Sequence, residues 1–327
     1  MHHPRTQNLA LLVVILAAAL AHAPPSRACG GLLQPVTGTV SQSGQLGLIV
    51  VDQNKTSVVL TLDVPDASNA FGVLVPVPSQ PTIDDQPVST DALAALEERT
   101  RPVVGFKDEG DNSDGGLFSC GGVAGGAPQK GLGVDVGAPI AIGPVTAQYV
   151  SGADGNAVAD WLTQQGFALP DGAQAIIDSY TNSGLSFVAF TRNESSAGAA
   201  RVGVHFTVDG DHRAYALQMT KLGASQALAF TIFVATSDSL GVGPDSPYQA
   251  ITVAQLDQDL AQSDYQGAVQ KGVQAVGGKA FVVETSVLAS TLFSDGVLGD
   301  LVPQGHTITR MSSVLDASDL DADVTFT

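Results

Sequence analysis

Residues 71–102, FGVLVPVPSQPTIDDQPVSTDALAALEERTRP, contain the clearest strand-to-helix transition in the chain. The apolar run at 71–75 predicts a buried strand. The prolines from Pro76 onward end this strand, because proline cannot donate a hydrogen bond to a neighbouring strand. Ser89 or Thr90 can cap a helix that begins near residue 91, and Pro102 ends that helix.

Similar apolar runs recur along the chain. The runs at 46–51 and 57–63 flank a polar stretch and predict a hairpin. Together with residues 71–77 they predict an antiparallel meander of three strands. Further strands are predicted at 145–150, 185–192, 202–208, 227–235, 279–284 and 306–311.

Helical periodicity appears in the second half of the chain. Val158, Trp161 and Leu162 form one apolar stripe, and residues 173–180 form another that Asp171 can cap. The two predict a helical hairpin packed on a sheet, with Trp161 in the core rather than serving as a ligand platform. Val253, Leu256 and Leu260 predict one more helix, and an acidic tail follows the last strand. We therefore predict an α+β fold, mainly antiparallel β-sheet with several short helices packed on it.

The first 28 residues are typical of a signal peptide. A basic segment precedes an apolar run at 9–21, which is too short to cross a bilayer as a helix. Cleavage after Ala23 would place Pro24 next to the cut, so we favour cleavage after Ala28, which leaves Cys29 first. Arg27 and Ser26 fit poorly with a lipidation signal, so a lipid anchor on Cys29 is the less favoured alternative.

The mature chain would be residues 29–327, an exported domain with a possible subdivision near 140–150. Removing 28 of the 327 residues leaves 299, and losing two arginines but no acid moves the net charge from −18 to −20. An acidic chain without a basic patch is a poor partner for nucleic acid or anionic lipid. No later apolar run approaches a membrane span, so we predict a periplasmic or extracellular location.

Cys29 and Cys120 are the two cysteines of the chain. In an exported protein two cysteines most often form a disulfide, and the glycines that follow each of them allow the close backbone approach it needs. Closing a loop of this length would stabilise the fold by roughly 4–5 kcal/mol in the chain-entropy model. Cys120 with His205 or His306 could instead form a thiol nucleophile and base, but a disulfide-bonded cysteine cannot act in that way.

Residues 107–139 form a Gly- and Asp-rich loop, and loops of this length are either functional or disordered. Asp108, Asp111 and Asp114 provide carboxylates of the kind that calcium prefers, although the spacing is not that of an EF-hand. We keep calcium at these three residues as a hypothesis and expect no other cofactor. No nucleophile elbow, zinc signature or phosphate loop is present. Glu97 and Glu98 are adjacent on a helix and do not face each other, so they form no acid–base pair.

Four segments carry a resemblance to the bacterial exported proteins grouped as domain of unknown function 2330. They are Ala28-Cys29-Gly30-Gly31, Val75-Pro76-Val77-Pro78 with Thr90-Asp91-Ala92-Leu93 and Arg101-Pro102, Asp160-Trp161-Leu162 with Gly166-Phe167, and Phe187-Val188-Ala189. Residues 277–282 and Thr309-Arg310 add to it. Members of this family often carry further cysteines after the first, where this chain has Leu32-Leu33-Gln34. The resemblance implies an exported single-domain architecture and transfers no activity or functional residue.

The sequence predicts a non-enzymatic envelope or secreted domain that binds a protein or an extracellular ligand, or that has a structural role. The alternative is a hydrolase whose carboxylates converge near the acidic loop at 108–116. We lean away from an enzyme because no catalytic motif is present, although distant carboxylates can meet in a fold.

Overall fold

The structure is a computed structural model. It describes residues 26–27, 31–35, 42–65, 71–104, 133–193, 198–224, 226–293 and 297–327. Its strands are β1 Ser26–Arg27, β2 Gly31–Pro35, β3 Gln42–Asp52, β4 Lys55–Val64, β5 Gly72–Val77, β6 Thr82–Ile83, β7 Val134–Val136, β8 Ile140–Ile142, β9 Val145–Gly152, β10 Phe167–Ala168, β11 Ser186–Arg192, β12 Ala200–Asp209, β13 Ala214–Tyr215, β14 Leu228–Thr236, β15 Gln249–Thr252, β16 Ala280–Leu288, β17 Thr307–Leu315 and β18 Val324–Thr325. Its α-helices are α1 Thr90–Arg99, α2 Gly155–Gln164, α3 Ala173–Asn182, α4 Leu217–Thr220, α5 Gln258–Ser263, α6 Tyr265–Ala275, α7 Ala289–Leu292 and α8 Val297–Leu301.

Two large sheets organise these elements. Within the described ranges, sheet A has nine strands in the order β15-β16-β17-β14-β3-β4-β12-β6, with β1 beside β3. Sheet B has seven strands over the same ranges, in the order β10-β2-β5-β11-β9-β7, with β8 also beside β9. Every pairing in sheet B is antiparallel, whereas sheet A includes the parallel pairs β14–β3 and β15–β16. The predicted α+β class with mainly antiparallel sheet is confirmed.

The sheets stack face to face and each carries helices on its other face. Alternate residues of both sheets, such as Leu60 of β4 and Val188 of β11, share one core. The opposite face of sheet B packs against α2 and α3, and that of sheet A packs against α1, α7 and α8. Helix α6 packs on β17. The described elements therefore form four layers: helices, sheet B, sheet A and helices.

The predicted hairpin at 46–63 is confirmed, but the three-strand meander is wrong. Strands β3 and β4 pair in antiparallel register around a turn at Gln53, yet β5 lies in sheet B between β2 and β11. The free edge of β4 is occupied by β12 over ten residue pairs. Strand β5 buries Val73 toward one core and Leu74 toward another, so it needs cover on both faces and takes a central position in the sheet.

Pro76 does not end β5, contrary to the prediction. Val75 and Val77 remain paired with β11 on either side of it, while the described pairing with β2 stops at Leu74. The missing N–H of Pro76 therefore removes one donor without ending the strand.

Two helix predictions need correction. The cap of α3 is Gly172, whose φ of +84° turns the chain into the helix, and Asp171 does not cap it. The helix predicted from Val253 to Leu260 is divided into a 3₁₀ turn at Val253–Gln255 and helix α5, because Asp257 caps α5 through the N–H of Leu260. Helix α1 is confirmed, with Ser89 rather than Thr90 as its cap. The α2–α3 hairpin with a buried Trp161 is also confirmed.

The predicted acidic tail is part of the fold. Strand β17 continues to Leu315, and Leu320, Val324 and Phe326 beyond it are fully buried. The ring of Phe326 makes an edge contact with that of Phe281, with centroids 6.3 Å apart. The apolar residues between the acids therefore anchor this segment in the core.

Strand β7 lies inside the predicted loop at 107–139 and pairs with β9. The possible subdivision near 140–150 stays a prediction. None of the helices in the described ranges has the length and apolar character needed to cross a bilayer.

Candidate functional site

The site residues predicted from the sequence lie outside the described ranges. These are the calcium candidates Asp108, Asp111 and Asp114 and the disulfide candidates Cys29 and Cys120. The calcium hypothesis and the disulfide therefore stay predictions. Within the described residues, no group of three or more His, Cys, Asp or Glu side chains is arranged to hold a metal ion.

The candidate site is a cleft of about 390 Å³ on the outer face of sheet A, which we call the polar cleft. Helix α1 contributes Glu97 to one wall, and helix α6 contributes Tyr265 and Gln266 to the other. Strands β3, β14 and β17 form the floor. Among the described elements, the helices that cover this face of the sheet leave a gap between α1 and α6.

Hydroxyl groups line the floor because three strands align there. Thr231 of β14 pairs with Leu46 of β3 on one side and with Ser312 of β17 on the other, so the side chains of these three residues point to the same face. Two of them, Thr231 and Ser312, carry hydroxyl groups. The side chains of Thr231, Ser312 and Gln266 make no hydrogen bond to other described residues, and all three line the cleft. They can therefore donate to and accept from a ligand.

A buried ion pair lies at the base of the cleft. The side chain of Arg310 is 7% exposed and that of Glu284 is 0% exposed, with Nε of the arginine 2.5 Å from Oε2 of the glutamate. The two atoms are not aligned as a hydrogen bond, so their attraction is mainly electrostatic. A buried charge is tolerated only when it is compensated, and here each residue compensates the other.

Further contacts hold the two charged side chains in place. Nη1 of Arg310 donates to the carbonyl oxygen of Glu97 at 2.5 Å and to Oγ1 of Thr100 at 3.3 Å. The guanidinium also lies 5.7 Å from the ring centroid of Phe233. The hydroxyl of Tyr265 donates to Oε1 of Glu284 at 2.6 Å. Burial, and then the nearby Glu284 carboxylate, raise the pKa of Tyr265, so its hydroxyl keeps its proton.

Sequence reasoning missed this site. The sequence contained a signal, because Glu284 and Arg310 are charged residues within strands otherwise made of apolar and small polar residues. A charge in a strand that is covered on both faces must find a partner. The identity of that partner depends on the pairing of β16 with β17, which places the two residues side by side across a register shift between Val283 and Thr285.

A second cavity, of about 140 Å³, lies between the two sheets, and we call it the inter-sheet cavity. Tyr180 and Asp323 contribute polar groups to its lining, and the tyrosine hydroxyl donates to Oδ1 of the aspartate at 2.7 Å. The same oxygen accepts the backbone N–H of Gln218 at 3.0 Å. Burial raises the pKa of Asp323, and the two donors offset part of that effect.

Of the residues considered as catalytic, His205 has the most suggestive surroundings. Its Nδ1 donates to Oδ2 of Asp84 at 2.6 Å, and its Nε2 lies 3.5 Å from the hydroxyl of Thr207. The hydroxyl of Ser57 is 3.1 Å from that of Thr207. His306 has a structural role instead, because its Nε2 donates to the carbonyl oxygen of Val51 in the core at 2.8 Å.

The profile of one protein family matches residues 23–327 of the chain; the family is described as "Uncharacterized protein conserved in bacteria (DUF2330)". No curated protein and no solved structure matches the chain significantly.

Proposed function

We propose that the chain, which belongs to the DUF2330 family of bacterial proteins, is an exported binding domain that holds a small uncharged polar ligand in the polar cleft. The ligand we favour is a hydroxyl-rich molecule such as a saccharide unit. The observation that carries the proposal is a cleft of about 390 Å³ whose lining includes hydroxyl and amide groups that bond to no other described residue. Ligand sites in proteins usually have volumes of about 300–1,000 Å³.

The charges around the cleft favour a neutral ligand. Arg310 is compensated by Glu284, and Glu97 adds a further acid to the wall. The chain as a whole carries a net charge of −18, so an anionic ligand would be repelled. Thr231, Ser312 and Gln266 supply hydrogen-bonding groups without charge, and the half-buried ring of Tyr265 supplies a flat apolar surface against which a sugar ring could stack.

Binding can be tested with the mature chain and a panel of glucose, galactose, mannose and N-acetylglucosamine. Titration calorimetry and thermal melts should detect saturable binding of at least one sugar, because a ligand that binds only the folded state raises its stability. Gln266→Ala should weaken that binding by about fivefold to tenfold, the effect of one lost hydrogen bond. Gln274→Ala is the matched control, since Gln274 is exposed on the same helix outside the cleft. Absence of binding by every sugar, or equal losses in both variants, would contradict the proposal.

A hydrolase is the second candidate, and the Asp84–His205 pair favours it. With Nδ1 bonded to the carboxylate, Nε2 of His205 is the nitrogen that could accept a proton from Thr207. Hydrolysis of p-nitrophenyl acetate that is lost in His205→Gln would support this role. Equal rates in the two proteins, together with no labelling of Thr207 or Ser57 by a fluorophosphonate, would rule it out.

Export and the disulfide are proposed from the sequence and can be tested together. The intact mass of protein purified from its exporting host should begin at Cys29 and should fall about two mass units below the reduced form if the Cys29–Cys120 bond is present. Alkylation before reduction would reveal a free thiol and overturn the disulfide. A heavier N-terminus carrying lipid would place the protein on a membrane surface instead.

Calcium binding at Asp108, Asp111 and Asp114 also stays a proposal. Thermal melts of the mature chain with calcium and with chelator should differ if the cation orders this acidic segment. An unchanged midpoint would reject the hypothesis.

A further inference from the structure

The inter-sheet cavity lies where the inner faces of sheets A and B separate near the exit of β5. Its apolar wall comes from both sheets and includes Ile49, Leu60, Val75, Val77, Phe206 and Val208. These residues belong to the main core, yet their side chains do not fill the space between them. Protein interiors are close-packed, and voids much larger than one water molecule are few. The space of about 140 Å³ between the two sheets is larger than one water molecule needs, and it opens to the surface on one side.

The size and lining of the cavity indicate what could occupy it. An engineered apolar cavity of about 150 Å³ in another protein stays dry and binds benzene, so this cavity can hold one aromatic ring or a short alkyl chain. Exposed Ala214 and half-buried Pro78, Leu185 and Ala216 also line it, so the cavity reaches the protein surface there. A small molecule could enter at that side without opening the sheets.

The polar groups of the lining specify the other end of the ligand. Asp323 contributes a carboxylate that is held by Tyr180 and by the backbone of Gln218. His212 also lines the cavity, but its Nε2 already donates to the carbonyl oxygen of Asp209 at 2.8 Å. A carboxylate at this position attracts an amine and accepts from a hydroxyl, and it repels an acid.

We propose that the inter-sheet cavity is a second binding site, for a molecule with one aromatic ring or short alkyl chain that ends in an amine or a hydroxyl. The apolar part lies between Val77 of sheet B and Phe206 of sheet A. The amine or hydroxyl lies beside Asp323. This site is separate from the polar cleft and does not depend on the function proposed for that cleft.

Three probes of equal size test the proposal: benzylamine, benzyl alcohol and benzoate, each titrated into the mature chain by calorimetry and by ligand-observed NMR. Benzylamine and benzyl alcohol should bind saturably, and benzoate should bind at least tenfold more weakly. Ala214→Phe should place a ring at the surface side of the cavity and abolish binding. Ala250→Phe is the matched control, because Ala250 is also an exposed alanine on a short strand but does not line the cavity.

Asp323→Asn separates the two parts of the proposal. Asparagine keeps an oxygen that can accept from Tyr180 and from the Gln218 N–H, so the fold should be preserved, while the charge is removed. Binding of benzylamine should weaken at least threefold relative to binding of benzyl alcohol, because the charge that attracts the amine is removed. Failure of benzylamine and benzyl alcohol to bind, or unchanged binding in Ala214→Phe, would overturn the site. Tighter binding of benzoate than of benzylamine would overturn the assignment of the polar end.

Discussion

Replacing Glu284 by glutamine tests whether the ion pair beneath the polar cleft is as buried as its geometry indicates. The substitution keeps the size of the side chain and one carbonyl oxygen that can accept the hydrogen bond from Tyr265. It leaves the charge of Arg310 without a counter-ion. Both side chains are almost completely removed from water, at 0% and 7% exposure. Breaking a buried pair on one side costs roughly 3–5 kcal/mol of unfolding free energy, because the remaining charge stays desolvated.

This cost should appear in two measurements. Urea denaturation of Glu284→Gln should give a lower midpoint with an unchanged slope, which identifies a change in stability rather than in the amount of surface exposed. Thermal unfolding should begin roughly 6–10 °C lower, at about 2 °C per kcal/mol for a large domain.

The matched control is Glu98→Gln, which breaks the Glu98–Arg101 pair at the protein surface. That pair is 66% and 68% exposed, so its loss should change the unfolding free energy by less than about 1 kcal/mol. The double variant Glu284→Leu with Arg310→Met removes both buried charges and should recover most of the loss. If Glu284→Gln costs no more than Glu98→Gln, the reasoning is refuted and the pair must be solvated.

Three further predictions concern single contacts. Gly203→Ala should destabilise the fold in urea denaturation, because an added Cβ would lie 2.5 Å from the backbone oxygen of Val88. A neutral effect would contradict the close approach of the backbones at Gly203 and Val88. Asp154→Ala should lower the free energy of unfolding by about 1 kcal/mol in the same assay, because the Asp154 carboxylate caps α2 by accepting the N–H of Ala157 at 2.9 Å. A change within experimental error would argue against that cap. Burial raises the pKa of Asp323 above its ordinary 3.8, so the folded state binds this proton more tightly than the unfolded state and the group lowers stability as pH rises above about 4. The variant Asp323→Asn should therefore gain stability relative to the parent between pH 4 and pH 7. A stability difference that does not change with pH would refute this.

Much of the local structure was predictable from the sequence because its causes are local. Periodicity located the buried stripe of α2, with Trp161 in the core, and the Asp52–Lys55 stretch identified the turn between β3 and β4. Ser89 and Thr90 were the two cap candidates before an apolar stripe, and Ser89 is the residue that caps α1. Each of these features depends on residues within one or two turns of one another.

Sheet membership and the polar cleft were decided only by the tertiary structure. The pattern of β5 showed that it is buried but not which strand it pairs with, because a strand covered on both faces fits several neighbours equally well. Glu284 and Arg310 lie 26 positions apart in the sequence and meet only through the register of β16 with β17. Glu97 reaches the same cleft from a helix in the first third of the chain. The sequence by itself therefore determined the elements and their buried faces. Long-range pairing determined the site, since charges distant in the chain become partners only when the strands that carry them are placed side by side.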